Sequence, residues 1–199
     1  CDTDEMLQVG RDELNRLTQE VYDATRSSVV ISAEARCMPD RLGSRAFAHS
    51  DQAVPGMPKK WPRCLNTGNI VGRVPEVIDM LNQTCVPCRS GLSVHEIFRR
   101  YTRAYSQQVV DWIYSAQAEL MRLYLAKPAN ATGWILDFKQ RLFHPNFWFA
   151  AGRDVAVMPD GRLMNTFTRS VPAFIHYNGD SKHTWKDRLA PAALSAALR

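Results

Sequence analysis

Apolar positions recur along this chain at two alternating periods. Over residues 11–24, Leu14, Leu17 and Val21 return at helical spacing among Glu, Arg and Gln, which predicts a surface helix with one buried stripe. The period then shortens. Residues 28–34 form a β-branched run that predicts a buried strand with Glu34 at its C-terminal end. A helix feeding such a strand points to an α/β sheet, in which ligands gather at the carboxyl ends of strands. In the run 65–72, Ile70 and Val71 seat the segment in the core, while Gly68 and Gly72 permit close backbone approach and Asn66 offers a donor and an acceptor.

Helical periodicity resumes at Pro75-Glu76 and runs through Val77, Ile78, Met80 and Leu81, with proline suited to the first turn. The longest helical pattern covers residues 93–126, with Trp112, Ile113, Leu120, Leu123 and Tyr124 as its core positions and Arg99, Arg100 and Arg103 on a solvated face. Residues 134–137 predict a short strand ending in Asp137, and residues 140–143 a turn or helical start. Residues 154–165 predict a hairpin turning at Pro159-Asp160-Gly161. Phe174 and Ile175 predict a short buried strand, and the Ala/Leu-rich residues 190–199 a helix with Pro191 in its first turn.

Between Cys37 and Cys64 the prolines at 39, 55, 58 and 62 predict a long irregular loop, which those two cysteines could close if oxidised; two unpaired cysteines near the core are the alternative. Cys85-Val86-Pro87-Cys88 has the spacing of a redox or zinc half-site, but no second pair stands at finger-like spacing, which favours a local disulfide or a plain loop. Asn82-Gln83-Thr84 and Asn130-Ala131-Thr132 are N-glycosylation acceptor triplets, and they tilt the reading toward a lumenal or extracellular setting where disulfides persist.

With 199 residues, 45% of them hydrophobic, the chain is long enough for one domain with a sizeable core. No apolar run approaches the roughly 20 residues of a membrane span, and the opening residues lack the charged and apolar regions of a signal peptide. Net charge is +5, with a pI of 9.1, but Lys and Arg are scattered. A nucleic-acid partner is therefore not expected; a basic cleft for an anionic donor would account for the excess, and a merely soluble surface would account for it most simply.

Candidate chemistry concentrates near the two ends. Residues 172–182 deliver His176, an Asn178-Gly179 turn with exposed backbone N–H groups, and Lys182 as a point charge, a grouping suited to a metal-bound phosphate; a structural histidine at a strand end followed by an ordinary turn is the alternative. Asp2 and Asp4 are separated by one residue, so in an extended segment both carboxylates could approach one cation; a solvated terminus or a helix cap is the alternative.

Taken in order, these pieces resemble the glycosyltransferase domain of the procollagen lysyl hydroxylases and its relatives. Val29 through Glu34, with Cys37 and Pro39-Asp40, is similar to the family's "VVFSAE…CWPD", and Leu65-Asn66-Thr67-Gly68 through Gly72 to "LNSGGFIG". Leu136-Asp137 with Arg141-Leu142-Phe143 is similar to "LDxxxRIFQ", and Pro172 through Lys182 to "LPVLIHGNGPTK". The resemblance implies an α/β fold of the GT-A-like (Rossmann-like) type, a mixed sheet flanked by helices. Residues 1–199 would be a single partial domain whose N-terminal nucleotide-binding part is missing.

What the resemblance implies for the site follows residue by residue. Asp4 and Asp2 would be metal carboxylates and His176 the third protein ligand of a Mn²⁺ ion. Asn178, Gly179 and Lys182 would face the diphosphate of a UDP-sugar, while Asn66 and Gly68 would line the sugar or acceptor side. The activity implied is transfer of a hexose to a hydroxyl of a protein (hydroxylysine-like) or glycan acceptor, in the endoplasmic reticulum, the Golgi or outside the cell. Two departures stand out. The family's aspartates are separated by two residues, not one, and its "DDQ" helix start reads Ser115-Ala116-Gln117 here. Gln117 is kept and both acids are lost, so Asp111 or Glu119 would have to substitute in catalysis, or the chain is a noncatalytic relative that keeps the fold for binding or assembly.

Overall fold

The computed structural model describes residues 5–35, 37, 43–84, 117, 120–128, 133–145 and 155–177. Its architecture is mixed α/β, built from small sheets and helices. At the centre is β2 (Val29–Glu34), buried along its whole length. It pairs antiparallel with β3 (Cys64–Gly72) on one side and parallel with β4 (Trp134–Leu136) on the other. A strand covered on both faces needs an unbroken apolar run, and Val29-Val30-Ile31 supplies one. Val29, Ile31 and Ala33 pack with Ala46, Met80, Leu120 and Tyr124, while Val30 packs on the opposite side with Leu17, Val21, Leu142 and Phe143.

Leu17 and Val21 belong to α1 (Arg11–Thr25), whose limits agree with the periodicity to one residue. Asp12 and Glu13 in its first turn complement the helix dipole. At the other end Glu20 bonds Arg141, which ties α1 to the turn before β5 (Phe143–Pro145), and that bond holds the Glu20 carboxyl below the usual carboxylate range.

A second sheet has the order β1 (Glu5–Leu7), β8 (Phe174–His176), β5, with β1 antiparallel and β5 parallel to β8. The predicted hairpin is present as β6 (Val155–Val157) and β7 (Leu163–Asn165), its turn completed by Gly161 at φ 83°. Gln8 fastens it. The amide of Gln8 donates to the Leu163 and Pro172 carbonyls and its oxygen accepts from the Leu163 N–H.

The stretch between Cys37 and Cys64 departs from the loop expected of it. Residues Gly43–Ala53 form α2, because this piece contains no proline and places Ala46, His49 and Ser50 on one buried face. The prolines at 55, 58 and 62 follow Ala53. There Arg63, 2% exposed, donates to the Met57 carbonyl at 3.0 Å, reaches Asp51 at 2.5 Å and lies over the Phe47 ring. The Cys37–Cys64 disulfide is formed, closing a loop of sequence separation 27. The helix α3 (Val74–Thr84) buries Met80 but leaves Val74, Ile78 and Leu81 exposed.

Asp137 shapes the link between the sheets. It follows β4, is fully buried, and accepts the backbone N–H groups of Arg141 at 3.0 Å, Leu142 at 2.6 Å and Phe143 at 3.0 Å. Burial pushes its carboxyl above the usual carboxylate range, against the pull of those three donors. Helical structure at Gln117 and residues 120–126 falls within the longest predicted helix. The remainder of that helix, Cys85, Cys88 and the C-terminal helix lie outside the described residues.

Two outcomes are expected. Asp137→Ala leaves three backbone N–H groups, two of them buried, without their acceptor and should cost about 3 kcal/mol in urea unfolding; an unchanged midpoint would show that the turn holds without the carboxylate. Replacing Cys37 and Cys64 together by Ser should cost roughly 3 kcal/mol by the chain-entropy argument. Peptide mapping without reductant should recover the two cysteines as one linked species.

Candidate functional site

The candidate site forms where β2, β3 and β8 bring their functional residues together. Glu34 ends β2 with 5% of its surface exposed, and a carboxylate buried that deeply requires partners. Asn66 Nδ2 donates to one of its oxygens and Gln117 Nε2 to the other, each at 2.9 Å. Gln117 Nε2 also donates to the Leu65 carbonyl at 3.1 Å, and the Thr67 hydroxyl donates to Gln117 Oε1 at 3.3 Å. A strand end, a strand middle and a helix are thus joined through one carboxylate.

The register of β3 explains how Gly68 enters this group. Ile31 pairs with Ile70 but Ser32 pairs with Asn66, so Thr67, Gly68 and Asn69 bulge out of the ladder. The Asn66 oxygen accepts the Gly68 N–H at 2.8 Å and fixes the bulge. Gly68 is thereby pressed against His176: a Cβ at this position would lie 2.3 Å from His176 Nδ1 and 2.8 Å from the Asn66 oxygen. The close backbone approach anticipated for Gly68 is realised, and its partner is an imidazole.

His176 ends β8, so the carboxyl ends of β2 and β8 meet at the bulge. Its cross-strand partner on β1 is Glu5, the residue that follows Asp4. Pro145 pairs with it from β5. Phe143 and Phe174 share its face of the sheet. They form the floor of a cleft of about 460 Å³, also lined by Leu14, Asn15 and Thr18 of α1, by Gly68 through Val71 and by Leu142. Burial pushes the phenols of Tyr124 and Tyr177 up, which keeps both neutral.

Of the residues the sequence singled out, Asn66, Gly68, Gln117 and His176 are brought together. Asp2, Asp4, Asp111, Glu119, Asn178, Gly179 and Lys182 lie outside the described residues. Among the described residues no three His, Cys, Asp or Glu side chains converge as a metal site. Glu34 was assigned no site role from sequence. Its signal was an acid closing an otherwise apolar strand. No protein-family model matches this sequence, and no curated protein matches it.

Gly68→Ala should force the imidazole or the bulge to shift, at about 1–3 kcal/mol, with a displaced His176 ring resonance in NMR spectra; an unmoved resonance and unchanged stability would contradict the contact. Glu34→Gln sets an amide group against two amide donors. A loss of about 1–3 kcal/mol is expected in thermal or urea unfolding.

Proposed function

We propose that this chain is a metal-dependent glycosyltransferase domain of GT-A type, moving a hexose from a UDP-sugar to a hydroxyl of a protein or glycan acceptor. One observation carries the reading. Glu34, Asn66, Gly68, Gln117 and His176 come from four separate motifs of the procollagen lysyl hydroxylase resemblance, and they meet at the carboxyl ends of two strands. Convergence there suits a nucleotide-sugar site in an α/β fold.

Each residue has a task in this reading. Glu34, through its bonds to Asn66 and Gln117, holds the bulge in place, and the bulge in turn seats His176. His176 with Asp2 and Asp4 would hold Mn²⁺, and the donor set of one imidazole and carboxylate oxygens fits that ion. The placement of Glu5, next to Asp4, opposite His176 supports it. When bound, the metal supplies charge neutralisation at the diphosphate. Asn178, Gly179 and Lys182 would bind the same diphosphate. In the transfer, the acceptor oxygen bonds to the anomeric carbon, the bond from that carbon to the β-phosphate oxygen breaks with its electron pair left on UDP, and the hydroxyl proton is released. The disulfide and the glycosylation triplets favour a secretory-pathway setting.

A second reading has its own observation. Both amide hydrogens of Gln117 are engaged, by Glu34 and by the Leu65 carbonyl, so this residue positions the site and has no donor left for substrate. Together with Ser115-Ala116 in place of two acids, that favours a noncatalytic relative that keeps the fold for binding or assembly.

The two readings separate by experiment. UDP release from a panel of UDP-sugars with Mn²⁺ is expected under the first, and UDP binding without turnover under the second. His176→Ala should weaken Mn²⁺-dependent UDP binding about tenfold or more. Identical titrations with and without Mn²⁺ would remove the metal assignment.

A further inference from the structure

The exposed face of α3 carries an inference that the transfer reading leaves open. Six large apolar side chains are exposed among the described residues, and three of them, Val74, Ile78 and Leu81, stand on this one helix. Their spacing of i, i+4 and i+7 gathers them into one stripe. It lies beside the buried side of the helix, where Val77 and Met80 pack into the core. On the other side Gln83 donates to Asp79 at 2.6 Å, an i,i+4 bond of the kind a helix makes on its solvated face. Apolar surface gathered in this way, and not scattered singly, points to something that covers it.

Asn82 decides what the cover is. It is exposed in the last turn of α3, four residues beyond Ile78 and eight beyond Val74, so it continues the same stripe. Asn82-Gln83-Thr84 is also an N-glycosylation acceptor triplet. In a helix the Cα–Cβ bonds tilt toward the N-terminus, so a group carried by Asn82 lies over the preceding turn, where Ile78 stands. Val74 follows one turn further back, about 12 Å from Asn82 along the axis. A sugar ring suits this position, because its C–H groups can meet the apolar stripe while its hydroxyls stay in water.

We propose that Asn82 is an N-glycosylation site and that the first sugars of its glycan lie along Ile78 and Val74 as the cover of that stripe. The substrate class is a lipid-diphosphate-linked oligosaccharide. Asn82 Nδ2 bonds to its anomeric carbon, the bond from that carbon to the diphosphate oxygen breaks with its electron pair left on the lipid diphosphate, and the amide releases one proton. Thr84 completes the triplet that the transferring enzyme reads. The modification rests on the secretory-pathway setting of the proposed function; the placement of the glycan rests on the helix alone.

The full chain, directed into the secretory pathway of a eukaryotic cell by a cleavable leader, tests the site. Digestion with peptide-N-glycosidase followed by mass spectrometry should find Asn82 converted to Asp. Thr84→Ser should keep that conversion, while Asn82→Gln and Thr84→Ala should each abolish it. A bare Asn82 in chain recovered from cells and medium would overturn the proposal. On the folded, glycosylated chain, nuclear Overhauser contacts should join the Ile78 and Val74 methyl groups to sugar protons, and the Val74 contacts should be lost when the glycan is trimmed to its first sugar. Absence of both sets of contacts on a chain modified at Asn82 would overturn the placement. Asn130 modified with Asn82 bare would overturn the site and leave the secretory setting standing. In chain isolated from its own cells, bare Asn82 and Asn130 together with free thiols at Cys37 and Cys64 would sink that setting, and the proposal with it.

Discussion

The buried carboxylate of Glu34 is the constraint on which the site depends. A charge at the end of an apolar strand is tolerated only where donors reach it, and here they are side-chain amides from two other segments. Asn66 lies on the neighbouring strand and Gln117 on a helix 83 residues further along the chain. Satisfying one acid therefore fixes the relation of β2, β3 and that helix. Three hydrogen-bonded pieces move together or not at all.

From this follows the geometry of the bulge. With its nitrogen committed to Glu34, Asn66 turns its oxygen toward the Gly68 N–H, which holds three residues out of the ladder. The bulge would be a defect in a sheet whose only role was structural. Placed where β8 ends, it becomes the surface against which an imidazole is held.

Much of this was legible in the sequence because it rests on local signals. The stripe of Leu14, Leu17 and Val21 located α1, and Pro159-Asp160-Gly161 located the hairpin. The helix α2 was hidden by the prolines around it, since composition over the whole Cys37–Cys64 stretch masked the proline-free middle. In the site, Asn66, Gly68 and His176 could be named from residue type and motif order. The role of Glu34 could not, because it depends on partners 32 and 83 residues distant that no local pattern connects. Likewise the contact of Gly68 with His176 follows from a change of register, and register is a property of two strands rather than of either.

The disulfide bears on the same place from another direction. Cys64 pairs with Glu34 across β2 and β3, and Asn66 stands two residues beyond it. The sulfur bridge therefore clamps the first rung of the ladder whose next rungs hold the polar cluster. Without it, the cluster would be held on that side by hydrogen bonds alone. Reduction of this one cysteine pair would thus loosen the ladder beside the polar cluster.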